Sequence, residues 1–263
     1  MYDYHLHSSF SFDGSDSPML FAREAAKNGI KEICFCEHIE IGHNYPISWD
    51  GKPKTDEYFS ALNRISQEGV TIKAGYEAGV TPQNLQETYE FVSKTPCDFV
   101  IASCHFIEGK DPYDESESLF SGRDVKEVMQ SYLQDILYCV KNFACFNVIG
   151  HIGYAGKYSA PPHLITYEKY GDLIDEILVC AISKEKGIEI NTSAWDIFGC
   201  GIPATDIIKR FFELGGEIIT TGSDSHKAEK TGSRIKNAIE IIKNCGGKYI
   251  CTFDKMQPIY HVL

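Results

Sequence analysis

His5 and His7 flank a single leucine near the start of the chain. The run from Met1 to Leu6 reads as a strand, and side chains at i and i+2 of a strand point to the same face. Two imidazoles then aim at one point, an arrangement that suits zinc, manganese or iron. A His-x-His pair is a short match that also occurs on exposed strands, so the other metal-compatible side chains decide its meaning. They fall in a regular place, each at the end of a short β-rich run. His38 follows Cys34-Phe35-Cys36-Glu37, Glu77 follows Ala74-Gly75-Tyr76, and His105 follows Ala102-Ser103-Cys104. His151 follows Val148-Ile149-Gly150, Asn191 ends a sixth run, and Asp224 and His226 follow Gly222-Ser223 at a seventh. Six of the nine histidines occupy such ends, a pattern that unrelated structural histidines do not produce. Asp13, in Phe10-Ser11-Phe12-Asp13-Gly14, comes just after the first run. It is either a further ligand or an Asx-turn before Gly14.

Such a donor set can hold two divalent ions about 3.5–4 Å apart that share a carboxylate and a hydroxide. Ions so placed lower the pKa of bound water, hold a phosphoryl oxygen and offset charge in a pentavalent transition state. Glu77, on a central strand, is the candidate bridge, and the donors are numerous enough for a third ion. His43 and His163 fall in loops and His261 in the terminal tail, and they read as solvated.

The elements that must position these groups alternate along the chain. Helices are expected at Pro18–Lys27, Thr55–Gln67, Pro82–Ser93, Arg123–Asn142, Tyr167–Lys186, Pro203–Leu214 and Ser233–Asn244. Ser17-Pro18 is an N-cap with proline at the first helical position, and Gly29, Gly69, Gly187 and Gly215-Gly216 are stops. Strands are expected at Met1–Leu6, Ile30–Cys36, Val70–Tyr76, Cys97–Ser103, Cys145–Ile149, Ile188–Ile190 and Glu217–Thr221, with a last one at Lys248–Phe253. A loop with Gly42, Pro46, Gly51 and Pro53, a polar loop over Glu108–Gly122 and an irregular one over Gly153–Pro162 complete the chain. Strands alternating with helices imply βαβ units and a parallel sheet. Seven such units favour a nearly closed α/β barrel over an open, doubly wound sheet. In a parallel barrel all the strand ends named above lie on the C-terminal face, where active sites are built.

Length and composition agree with this. The 263 residues, 43% of them hydrophobic, suffice for one large core, so a single domain over 1–263 is expected. The net charge of −12 argues against broad nucleic-acid or membrane binding. It leaves room for an anionic substrate, because a metal site reverses the local potential. No stretch is long and apolar enough to span a bilayer, and Asp3 and His5 interrupt any signal peptide at the N-terminus. The expected compartment is the cytoplasm. The ten cysteines contain no Cys-x-x-Cys pair and mostly sit in apolar runs, as small buried hydrophobes.

His5-Leu6-His7-Ser8, Glu37-His38, Glu77, Ser103-Cys104-His105-Phe106, Gly150-His151 and Gly222-Ser223-Asp224-Ser225-His226, taken in order, resemble the polymerase-and-histidinol-phosphatase (PHP) family. More narrowly they resemble its histidinol-phosphate phosphatase branch. The resemblance covers nearly the whole chain. It implies a distorted (β/α)7 TIM-like barrel with a trinuclear metal centre at the C-terminal ends of the strands. It implies that His5, His7, Glu77 and Asp224 hold one ion, Glu77, His105 and His151 a second, and Asp13, His38 and His226 a third. The ions implied are two or three of zinc, manganese or iron. The reaction implied is hydrolysis of a small phosphomonoester by a metal-bridging hydroxide. The leading substrate is L-histidinol phosphate, as in histidine biosynthesis. Asp13, Glu77, Asp224 and His226 are the candidate catalytic groups, with Asp13 or His226 arranging the proton for the leaving oxygen.

The sequence departs from that branch at one place. An arginine usually follows the Asn-Thr-Ser of the sixth strand end, whereas here Asn191-Thr192-Ser193 is followed by Ala194-Trp195-Asp196. Lys157, or Lys227, Lys230 and Arg234 after the seventh strand, are the alternative phosphate-binding cations. Asn191 and Trp195 are further candidates for the substrate, Trp195 by stacking on a ring. Three rival activities stand beside the leading one. A nucleotide or sugar phosphate is the other substrate. An amide or ring hydrolase would also begin with His-x-His but commonly bridges its metals with a lysine, where Glu77 stands here. A non-catalytic metal-binding subunit is the third. The sequence does not set the oligomeric state.

Overall fold

The computed structural model describes residues 1–43 and 49–263; Pro46 of the expected loop lies outside them. Seven strands, β1 (Tyr2–Leu6), β2 (Glu32–Ile39), β3 (Thr71–Gly79), β4 (Phe99–Ser103), β5 (Val148–Ile149), β6 (Gly187–Asn191) and β7 (Ile219–Gly222), lie side by side in chain order. Every neighbouring pair is parallel. The ring closes between β7 and β1, where the Asp224 N–H donates to His5 O (2.8 Å) and the His7 N–H to Ser225 O (3.0 Å). Between strands run α1 (Pro18–Lys27), α2 (Thr55–Asn63), α3 (Leu85–Val92), α4 (Pro112–Phe120), α5 (Val125–Asn142), α6 (Tyr167–Ser183), α7 (Trp195–Phe198) and α8 (Thr205–Glu213). Helix α9 (Ile235–Asn244) follows β7. This is a distorted (β/α)7 barrel, as the family resemblance implied, and the alternation of elements pointed to a nearly closed barrel. Among the described residues no helix is long and apolar enough to cross a membrane.

Helix α5 shows how the outer layer packs. Its buried residues include Val128, Met129, Tyr132, Leu133, Ile136 and Val140, an i, i+3/i+4 stripe that faces the strands. Asp124 caps it by accepting the Lys126 N–H (2.9 Å).

The last expected strand is not part of the barrel. It is β8 (Tyr249–Asp254), paired antiparallel with β9 (Gln257–Val262). Lys255 and Met256 join them with φ of 48° and 67°, the left-handed pair of a type I′ turn. That turn usually advertises itself by Asn-Gly, and its absence hid the hairpin. Phe253 and Cys251 from β8 pack against Tyr4, Cys34, Cys36 and Phe99 inside the barrel, so the hairpin plugs the end opposite the histidines. Phe253→Ala should therefore destabilise the protein by about 3–5 kcal/mol, read as a shift in the urea midpoint at unchanged slope.

Other differences have local causes. Helix α4 occupies the expected polar loop because Asp111 caps it, accepting the Tyr113 N–H, and Pro112 opens it. Only Pro112 and Leu119 are buried, so no apolar stripe marked the helix. Strand β5 is two residues long because the Asn147 side chain takes over the ladder, its Oδ1 accepting the Val100 N–H (2.9 Å). Strands β2 and β3 run three residues past the expected ends, and His38 and Glu77 are direct partners in their register. His43, His163 and His261 are not simply solvated. His43 stacks on Phe106, His163 meets Tyr170 Oη, and His261 meets Thr252 Oγ1.

Candidate metal centre

The C-terminal strand ends bring the predicted donors to one place. The two oxygens of the buried Glu77 carboxylate face different groups. Oε2 lies 3.1 Å from His38 Nδ1 and 3.3 Å from both His5 Nε2 and His7 Nε2. Oε1 lies 2.7 Å from His151 Nε2 and 3.1 Å from His105 Nε2. Asp224 Oδ1 is 3.3 Å from His7 Nε2 and 3.6 Å from His5 Nε2. Asp13 Oδ2 is 2.9 Å from His226 Nε2 and 3.4 Å from His38 Nε2. Asp224 itself adopts φ 55°, an unfavourable backbone state for a residue with a side chain, of the kind that collects at functional sites.

Three imidazoles are fixed from behind. His5 Nδ1–H donates to Glu189 Oε1 (2.6 Å), and His105 Nδ1–H donates to Glu40 Oε1. Ser11 Oγ gives its proton to Glu37 (2.6 Å) and so accepts from His7 Nδ1–H (3.3 Å). Each bond orients its ring and aims Nε2 inward, where it becomes the ligating atom once its proton is displaced. The buried atoms His5 Nε2, His7 Nε2, His38 Nδ1 and Glu77 Oε2 have no well-formed hydrogen bond. Buried polar atoms without partners are rare, and divalent ions would satisfy these, so the residues present fit a metal centre. Donor atoms of His5, His7 and Glu77, of His38, Glu77 and His105, of His7, His38 and His226, and of His5, His151 and Asp224 each lie within 4.8 Å of one another.

Electrostatics point the same way. Burial alone would push the Glu77 carboxyl up, but His5, His105 and His38 outweigh it and hold it well below the usual carboxylate range. Burial opposes ionisation of His5 and His105 too, yet their carboxylate neighbours, Glu189 for His5 and Glu77 for His105 foremost, hold both well above the usual range. In the free protein, protons on imidazoles thus supply the positive charge that bound ions would bring, and loading displaces them.

Glu40 and Glu189 were not singled out from the sequence, and Glu37 entered only as part of the Glu37-His38 motif, without its role behind His7. Period two carried the signal: Glu40 is two residues after His38, and Glu189 two before Asn191. Glycine leaves space for them. A Cβ at Gly79 would collide with the Glu40 carboxylate, and one at Gly222 with that of Glu189 and with His5 Cβ. Glu189 Oε2 also accepts the His151 N–H (3.1 Å), so one carboxylate orients two candidate ligands. Glu189→Gln is expected to weaken metal binding by roughly 10–100-fold, measured by competition with a chromophoric chelator.

Above the donors lies a cavity of about 440 Å³. Its walls include Asp111, the cap of α4, with Tyr113 and Asp114 from α4, and Tyr154, Lys157 and Tyr158 from a 3₁₀ turn after β5. Among the described residues Lys157 is the only lysine or arginine on the wall. Burial lowers its pKa, against the pull of Asp224 and Glu77. The other substrate candidates are not brought there. Arg234 faces Asp196 (3.6 Å) at the start of α9, Trp195 begins α7 off the wall, and Lys227 and Lys230 are exposed. Asn191 is buried beneath, its Nδ2 donating to Asp224 Oδ2 (3.2 Å), so it supports a carboxylate and does not face the cavity.

Comparison with known proteins agrees with this geometry. The PHP domain model matches residues 3–193. The histidinol-phosphatase of Lactococcus lactis subsp. lactis is 35% identical, over 97% of this chain and 95% of that one. The crystal structure of histidinol phosphate phosphatase from that organism, complexed with zinc, L-histidinol and phosphate, superimposes with a TM-score of 0.88 at 32% identity, covering 98% of both chains. A family model that spans most of the chain, and a relative alike from end to end, place this protein in the PHP domain family.

Proposed function

We propose that this protein is a metal-dependent phosphomonoesterase that hydrolyses L-histidinol phosphate to L-histidinol and inorganic phosphate. The observation that carries this reading is the Glu77 carboxylate set among five imidazoles at the floor of a cavity with one ammonium on its wall. The same substrate class is named for the Lactococcus relative. His5, His7, Glu77 and Asp224 would hold one ion, Glu77, His105 and His151 a second, and Asp13, His38 and His226 a third. Zinc is the ion in the Lactococcus structure; manganese and iron suit the same nitrogen and oxygen donors. Bound ions supply Lewis acidity toward phosphoryl oxygens and lower the pKa of water.

The chain's own groups do the rest. Lys157 Nζ, on the cavity wall, neutralises a phosphoryl oxygen. Asp13 and His226 meet at the cavity edge, Oδ2 to Nε2 at 2.9 Å, and the other Asp13 oxygen is left to relay a proton to the leaving oxygen. Asp111 and Asp114 give the outer wall negative charge, which suits a leaving group bearing an ammonium and disfavours nucleotides. Phosphate release from a panel with added zinc, manganese or iron tests this. L-histidinol phosphate should exceed AMP and glucose 6-phosphate by about 100-fold in kcat/KM, as expected where buried polar groups are left unpaired by the wrong substrate. Metal-dependent release from none of them would refute the proposal.

A further inference from the structure

Resting on that reading, the geometry points to Ser193 as a positioning residue that holds the Lys157 ammonium at the phosphate end of the cavity. Ser193 lines the cavity in the turn after β6. Its Oγ accepts from Lys157 Nζ (3.2 Å) and donates toward Asn191 Oδ1 (2.7 Å) or Asp224 Oδ2 (3.2 Å). Ser193 N–H also donates to Asn191 Oδ1 (3.0 Å). The hydroxyl is therefore clamped to a buried amide on one side and offers its lone pair to lysine on the other. Among the described residues it is the only side-chain hydrogen-bond partner shown for Lys157 Nζ.

Lysine needs such a partner more than arginine does. Its ammonium rides on a flexible four-carbon stem, whereas guanidinium presents a rigid fork. Here the ammonium lies over the rings of Tyr154 and Tyr158, with Nζ 5.4 and 5.5 Å from their centroids. One donor goes to Ser193, and of three in all the others remain for phosphoryl oxygens. The hydroxyl ties the cation to Asn191, whose Nδ2 donates to Asp224 Oδ2 (3.2 Å), so the phosphate clamp and the metal carboxylates share a fixed frame.

The test measures binding of inorganic phosphate to the zinc-loaded full chain by calorimetry, beside steady-state kinetics. Ser193→Ala should weaken phosphate about tenfold and raise KM more than it lowers kcat. Ser193→Thr, which keeps the hydroxyl, should bind phosphate within about twofold of the parent. On a Lys157→Met background Ser193→Ala should add less than about twofold, because the two act as one unit. Zinc content should stay at the parent level. Unchanged phosphate affinity in Ser193→Ala, an equal loss on the Lys157→Met background, or loss of zinc would each overturn the assignment. Failure to turn over L-histidinol phosphate would remove the leaving-group assignment alone, since the phosphate series reads Ser193 without it.

Discussion

Glu77→Gln is expected to lower kcat/KM by about a thousandfold and to strip most of the bound metal, with the barrel still folded. The size follows from position. Both carboxylate oxygens are engaged, one toward His5, His7 and His38 and the other toward His105 and His151. A glutamine puts a donor where one of those acceptors stood and removes the charge that balances the imidazoles or the ions that replace their protons. Ser103 Oγ donates to Glu77 Oε1 (2.7 Å), and an amide oxygen can still accept there, so local packing survives. A thousandfold loss is about 4 kcal/mol of transition-state stabilisation. Metal analysis, circular dichroism and phosphate release on one preparation separate loss of the ions from loss of the fold. Turnover within tenfold of the parent would remove Glu77 from the centre of the site.

Chelation has the second large effect. Stripping the ions should abolish turnover and lower the thermal midpoint by about 10 °C, and added zinc should restore both. Metal that binds only the folded chain stabilises it by about 4 kcal/mol at a thousandfold excess over Kd. For a chain of this size each kcal/mol moves the midpoint by about 2–4 °C. The physical reason is local: buried imidazole and carboxylate atoms that lack well-formed hydrogen bonds gain partners when an ion binds. Differential scanning fluorimetry with and without chelator gives the number. An unchanged midpoint together with full activity after exhaustive chelation would contradict a metal-dependent reaction.

The sequence carried the inner ring of the site and lost the layer behind it. His5, His7, His38, Glu77, His105, His151 and Asp224 stood out because each comes at the end of an apolar run, and the barrel topology turns strand ends into one face. Glu189 sits inside β6 and Glu40 just past β2 between Ile39 and Ile41, in apolar text where a charge reads as noise until its partner histidine is seen. Arg234 and Trp195 were reasonable by chain distance, yet α9 and α7 carry them away from the cavity. Tyr154 and Tyr158 join Lys157 on one wall only because a 3₁₀ turn brings the three together, and neither period two nor period 3.6 announces such a turn. The hairpin plug was hidden because Lys255-Met256 is an atypical pair for its turn.

Anomalous diffraction from crystals loaded with zinc and inorganic phosphate is the most direct test of a metal centre built on Glu77. Peaks should lie about 2.0–2.2 Å from His Nε2 atoms and from both Glu77 oxygens, with the phosphate between them and Lys157 Nζ. Absence of anomalous density there, or ions bound by other side chains with Glu77 left in contact only with protonated histidines, would contradict it.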